Sequence, residues 1–200
     1  MMRNLTLRVI CGAVLSVIAV SAFGDAPADA QPAKWASREL RFTYMGFTTH
    51  YSCEGLRDQV RSILLQLGAR KDLVVRESGC TADVGRPEPF PAVTAKFSVL
   101  EPVKPAGQES GKAAEESVPA HWRPVRVMLG DPGLDHAGQC ELLEQAQHQI
   151  LPLFTTRNVD FQQSCVPHQL TPAGSRLQAE VLVADQKPAA SSAAVPAHGG

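Results

Sequence analysis

Hydrophobic and polar positions change period along this chain in one order, and then repeat that order. Leu40, Phe42 and Tyr44 alternate with polar neighbours and lead on to Phe47 and His50-Tyr51, a strand pattern. Gly46 marks a bulge or bend in it. Ser52 follows as a helix cap. Leu56, Val60, Ile63, Leu64 and Leu67 then form one apolar stripe at helical period, with Arg57, Asp58, Arg61 and Gln66 on the wet side. Gly68 stands where a helix-ending glycine belongs. Leu73-Val74-Val75 opens a second strand that runs to Cys80. After a proline-rich loop (85–91), Val93, Ala95, Phe97 and Val99 alternate as a third strand.

The second pass has the same sequence of periods. Val125, Val127 and Leu129 alternate with Arg126 and Met128. Asp131-Pro132-Gly133 makes a turn. Leu142, Leu143, Ala146, Ile150 and Leu151 outline a helix that Pro152 ends or kinks, because an interior proline removes a hydrogen bond and clashes with the preceding turn. Val159 and Phe161 lead a strand to Cys165. A second proline-containing loop (166–175) precedes Leu177, Ala179, Val181 and Val183, the last strand. Anchored on Cys53 and Cys140, Leu56 matches Leu143, Ile63 matches Ile150, Leu64 matches Leu151 and Leu67 matches Phe154.

Two β-α-β-β units result, over 39–103 and 121–184, separated by a linker over 104–120 of Pro, Gly, Glu and Lys. Residues 31–38 read as a flexible N-terminal segment and 185–200 as a disordered tail. The unit order is expected to contain the β-α-β-β-α-β order of ferredoxin-like sandwiches. The expected fold is therefore α+β, a two-layer ferredoxin-like sandwich with both helices on one face of an antiparallel-rich sheet and disulfide staples. Two small domains joined by the linker are the alternative.

The N-terminus changes the picture of compartment. Arg3 and Arg8 precede an apolar run from Val9 to Phe23 that falls short of the ~20 residues a membrane span needs. Residues 1–30 therefore read as a secretory signal peptide, with cleavage after Ala22-Phe23-Gly24 or Ala28-Asp29-Ala30. No transmembrane segment is expected after cleavage, and the protein is expected in the periplasm or secreted. Cys11 leaves with the signal, and four cysteines remain, an even number that reads as a disulfide framework.

Their spacing favours pairing within each unit. A helix from Cys53 to Gly68 runs ~22 Å out at ~1.5 Å per residue. The strand back to Cys80 returns ~23 Å at ~3.3 Å per residue. Cys80 thus arrives beside Cys53, and Cys165 beside Cys140 by the same reasoning. Bridging Cα atoms sit roughly 4.4–6.8 Å apart.

Charge and motifs narrow the chemistry. The net charge is −1, and Lys/Arg clusters with interleaved aromatics are absent, so nucleic acid is not an expected partner. His50 precedes Cys53 and His136 precedes Cys140, a set that would suit a soft metal if the thiolates were free. Disulfide pairing removes those thiolates, so no metal and no cofactor is expected. No G-x-S-x-G, C-x-x-C or H-E-x-x-H occurs. Asp131, Asp135 and His136 fit a polar turn, and no spacing supports a triad of Ser175, His168 and Asp160. No catalytic residue is assigned, and the chain reads as non-enzymatic. Tyr51, Phe90 and Trp122 and the two proline-rich loops are the candidate binding surface, since rigid loops lose little entropy on binding.

The stretch THYSCEGLRDQVRSILLQLGARKDLVVRESGC (49–80) resembles uncharacterised secreted proteins of proteobacteria. That resemblance implies an extracytoplasmic compartment and carries no activity or site residue. The function expected is a binding or structural module whose partner is a protein or an envelope component. The alternatives are a metal-handling protein using His50, Cys53, His136 and Cys140, or a small enzyme or inhibitor. Oligomeric state is not legible.

Overall fold

A computed structural model describes residues 30–48, 50–81, 86–103, 117–129, 137–162 and 175–185. Most of the segments expected to be a signal peptide, a linker and a tail, together with Cys11, His136, Cys165 and His168, lies outside the described residues. Strand β1 (Gln31–Thr43) is followed by helix α1 (Cys53–Gln66) and strands β2 (Val74–Ser78) and β3 (Ala92–Pro102). Strand β4 (Val118–Val127), helix α2 (Ala137–Gln149), a 3-10 turn (Leu151–Leu153) and strands β5 (Thr156–Gln162) and β6 (Arg176–Ala184) complete the order. The six strands form one sheet in the order β2-β3-β1-β4-β6-β5, with every described pairing antiparallel.

The expected ferredoxin-like sandwich is not formed. Among the described residues three strands, β2, β3 and β4, not two, separate the helices. The β-α-β-β-α-β order is therefore never completed. β4 pairs with β1 instead, and the chain becomes an open, strand-dominated antiparallel sheet. Nor do the halves stand apart as two domains. A single apolar cluster takes Phe42, Leu56, Ile63 and Val93 from the first half and Leu142, Ile150, Leu177 and Val181 from the second.

Residues 31–38, expected to be flexible, are strand. β1 pairs Ala33 through Thr43 with β3 and Gln31 through Ala33 with β4. Its side chains alternate between two apolar surfaces. Leu40 and Phe42 enter the helix-covered core. Ala33 and Trp35 join Leu100, Ala120, Leu182 and Trp122 in a smaller cluster on the opposite face. Period-two alternation assigns the two faces, and a one-residue slip would exchange them. Two prolines face each other at this junction, Pro32 opposite Pro119. Their carbonyls point outward and accept from Val103 N–H and Asp185 N–H, both at 2.9 Å. The missing proline N–H groups thus do not interrupt the β1·β4 ladder.

Each helix ends over the other half. Gly68 follows α1 with φ 93°, a left-handed conformation that suits glycine. A Cβ there would sit 3.2 Å from Val183 Cγ1 and 3.4 Å from the Leu182 carbonyl oxygen, both on β6. Past α2, Phe154 stacks on Phe97 of β3 at 5.6 Å, and Thr155 Oγ1 donates to the Leu100 carbonyl at 2.8 Å. Pro152 lies in the 3-10 turn that closes α2.

Candidate functional site

The corner where β1 meets α1 brings together Tyr51, Cys53, Cys80 and Phe90 from among the sequence's candidate residues. Ser52 caps α1, its Oγ accepting from Gly55 N–H at 3.1 Å. Cys53, at the first position of the helix, is bridged to Cys80 with the Cα atoms 6.3 Å apart. The outward helix and the returning strand do cancel, as their rises require. Cys140, buried one turn into α2, is disulfide-bonded as well. Its expected partner Cys165 lies outside the described residues.

Three segments are laced together beside the Cys53–Cys80 bridge. Tyr44 N–H donates to the Pro91 carbonyl at 2.9 Å, and Glu88 N–H to the Tyr51 carbonyl at 3.0 Å. Ser52 bridges Pro87 in an isolated β-pair. Glu88 is 7 % exposed, the one buried charged side chain among the described residues. Its carboxylate accepts from Thr81 N–H and Thr81 Oγ1, which compensates its desolvation and ties the proline loop to the residue after Cys80.

Glu141 and Gln145 reach this corner from α2. The Glu141 carboxylate accepts from Phe47 N–H at 3.0 Å, Thr48 N–H at 3.1 Å, Thr48 Oγ1 at 2.9 Å and Tyr44 Oη at 3.1 Å. Gln145 holds both main-chain groups of Met45, accepting from its N–H at 3.0 Å and donating to its carbonyl at 2.9 Å. Tyr44 is buried and meets Tyr51 edge-on, with ring centroids 4.9 Å apart. Its ring folds back over Gly46, where a Cβ would lie 2.0 Å from Tyr44 Oη. The glycine expected to mark a bend is thus the floor under a buried tyrosine.

The electrostatics describe a latch. Burial pushes Tyr44 well above the ordinary phenol range, and the Glu141 charge adds to it. Burial likewise pushes Tyr51 up to about 12. Burial also pushes the Glu141 carboxyl upward, but the hydrogen bonds from Thr48, Phe47 and Tyr44 outweigh it and hold that carboxyl below the usual range. At neutral pH both phenols stay protonated and Glu141 stays ionised. Its oxygens are engaged by four donors that fix a loop.

Around this latch the apolar side chains point outward. Met45 is 57 % exposed, Phe47 67 % and Phe90 66 %. They lie on the two segments that the Tyr44–Pro91 and Tyr51–Glu88 hydrogen bonds hold side by side.

The other sequence candidates distribute as follows. His50 is exposed, and Cys53 is committed to its bridge, so the set His50, Cys53, His136, Cys140 does not offer the thiolates a metal would need. Among the described residues no group of three His, Cys, Asp or Glu is placed to hold a metal ion. Asp160 pairs with Arg176 at 2.8 Å, and Ser175 Oγ lies 2.7 Å from Cys140 Sγ, so these two members of the imagined triad are engaged elsewhere. Trp122 belongs to the small apolar cluster across the sheet, with Arg157 stacked 4.6 Å over its ring. Among the described residues no helix is long and apolar enough to cross a membrane.

Sequence reasoning missed Tyr44, Glu141 and Gln145 as a unit. One signal was present: a glutamate follows the first cysteine in both halves, as Cys53-Glu54 and Cys140-Glu141. No family model, curated protein or solved structure matches the chain.

Proposed function

We propose that the chain is a non-enzymatic, disulfide-stapled binding module of the periplasm or secreted space, and that its partner is a protein that docks on Met45, Phe47 and Phe90. The observation that carries this reading is the exposure of these three large apolar side chains on segments held by a bridge, a buried carboxylate and a carboxylate latch. A single exposed hydrophobe needs no explanation, but three on two adjoining, hydrogen-bonded segments favour an interaction surface. A pinned loop keeps its entropy loss on binding small. The signal-like N-terminus, the bridge and the resemblance of residues 49–80 to secreted proteins of proteobacteria support the compartment.

Photocrosslinking tests the surface. A crosslinker at Phe47 should capture one discrete protein from an envelope extract, and a crosslinker at Val159 on the far edge strand should not. Phe47→Ser with Phe90→Ser should abolish that capture while leaving the melting temperature within about 2 °C, as expected for exposed positions. Equal capture at both sites, or capture of envelope lipid or glycan alone, would reject a protein partner. Turnover of any compound in a broad hydrolase and oxidoreductase panel would reject the non-enzymatic reading.

A further inference from the structure

The two halves meet about a local two-fold axis, and the first half carries residues for both sides of that meeting. The β1·β4 register pairs Gln31 with Ala120, Pro32 with Pro119 and Ala33 with Val118, so the axis passes between the two prolines. Contacts on either side of it match. Pro32 accepts from Val103, and Pro119 from Asp185, at one distance of 2.9 Å. Arg70 stacks 5.6 Å over Trp35, and Arg157 stacks 4.6 Å over Trp122. Gly68 lies against the Leu182 carbonyl, and Thr155 against the Leu100 carbonyl.

The sequence keeps the same register. An offset of 87 residues relates Pro32 to Pro119, Trp35 to Trp122, Cys53 to Cys140, Glu54 to Glu141 and Arg70 to Arg157. An offset of 82 relates Leu100 to Leu182 and Val103 to Asp185. Matching residues on both sides of a dyad are what an isologous interface requires, because each surface must complement itself.

We propose that residues 31–103 are self-complementary about this axis, so that a second copy of the same residues fits the face that residues 118–185 cover in this chain. In such a pairing Gly68 faces the partner's Leu100 carbonyl, a place that now accommodates the larger Thr155. Leu67 takes the place of Phe154 against Phe97. Glu54 takes the place of Glu141 as the acceptor for Phe47 and Thr48. One position is deficient: the residue matching Gln145 is Asp58, whose carboxylate can accept from the Met45 N–H but has no N–H to donate to the Met45 carbonyl.

The test keeps the chain tethered. Residues 118–185 are replaced by a second copy of 31–103, behind the native linker. The variant should be monomeric, melt in one cooperative transition and contain no free thiol. Exchange of the Thr48 amides should be slow and should accelerate when Glu54→Ala is made in both copies. Asp58→Gln in both copies supplies the missing clasp twice, four hydrogen bonds in all, and should raise the folded-to-unfolded ratio about thirtyfold. An unfolded or aggregated variant that Asp58→Gln does not rescue would overturn the proposal. So would two independently melting copies, or Thr48 exchange insensitive to Glu54→Ala.

Discussion

At the end of β1, Met45 is gripped through both its main-chain groups by Gln145; at the end of β4, Met128 is gripped the same way by Gln66, at 2.7 and 2.8 Å. In both cases the glutamine belongs to the helix of the other half, so the halves hold each other's strand ends. The two ends then diverge. Beyond Met45 the chain is also anchored by Glu141, backed by the buried Tyr44 and flanked by the Cys53–Cys80 bridge. Beyond Met128, Leu129 returns to the core. A side-chain amide is enough to register a strand end. Presenting Met45 and Phe47 outward on a fixed backbone needs a carboxylate and a covalent staple in addition.

Cutting the staple should widen that difference most. The bridge closes a loop with a sequence separation of 27, worth about 3.5 kcal/mol in the chain-entropy account. Cys53→Ser with Cys80→Ser should lower stability by roughly that amount in a denaturant titration. Amide exchange should rise more at Phe47 and Thr48 than at Met128. Equal stability of variant and wild type, with or without reductant, would show that the corner does not depend on the bridge.

Removing the carboxylate comes next. Glu141→Ala leaves Tyr44 Oη and two main-chain N–H groups without their acceptor, a loss of about 2–3 kcal/mol for hydrogen bonds to a charged group. Thr48 exchange should accelerate while the Met128 amide keeps its protection. An unchanged Thr48 amide would mean that the latch does not hold the loop. The clasps themselves are weaker and offer the direct comparison. Gln145→Ala removes two hydrogen bonds and Gln66→Ala three, the third to Ser62 Oγ, and each substitution should cost about 1 kcal/mol. A Gln145→Ala effect well above that of Gln66→Ala would show that the clasp and Glu141 act as one coupled unit.

Acid should produce the smallest and most local change. Glu141 has its folded pKa depressed, so its contribution is present above the ordinary glutamate range and is lost as pH falls through the folded value. Amide exchange at Phe47 and Thr48, corrected for its intrinsic pH dependence, should therefore increase only once the pH falls below the ordinary glutamate range. The Met128 amide, held by a neutral amide side chain, should not follow. Parallel behaviour of both ends would indicate general acid unfolding rather than release of the latch.

Much of this corner was legible residue by residue and illegible as a whole. Ser52, the apolar stripe of α1 and Gly68 follow from period and capping chemistry, which are local. The Cys53–Cys80 closure follows from helix rise against strand rise. Tyr44 and Glu141 are 97 positions apart, and no local period connects them. The strand over 31–38 was hidden for a related reason. Residues 25–37 are rich in Ala, Pro and Asp and read as flexible, and only the partners β3 and β4 make 31–38 a strand.

What the sequence by itself determined is the order of elements within each half and the closure of the first cysteine pair, because both depend on interactions within about 30 neighbouring residues. How the halves combine was decided by the tertiary structure. Local patterning is silent on whether β4 joins a sandwich, founds a second domain or pairs with β1. Three residue pairs about Pro32 and Pro119, and two helices packed across them, make that choice.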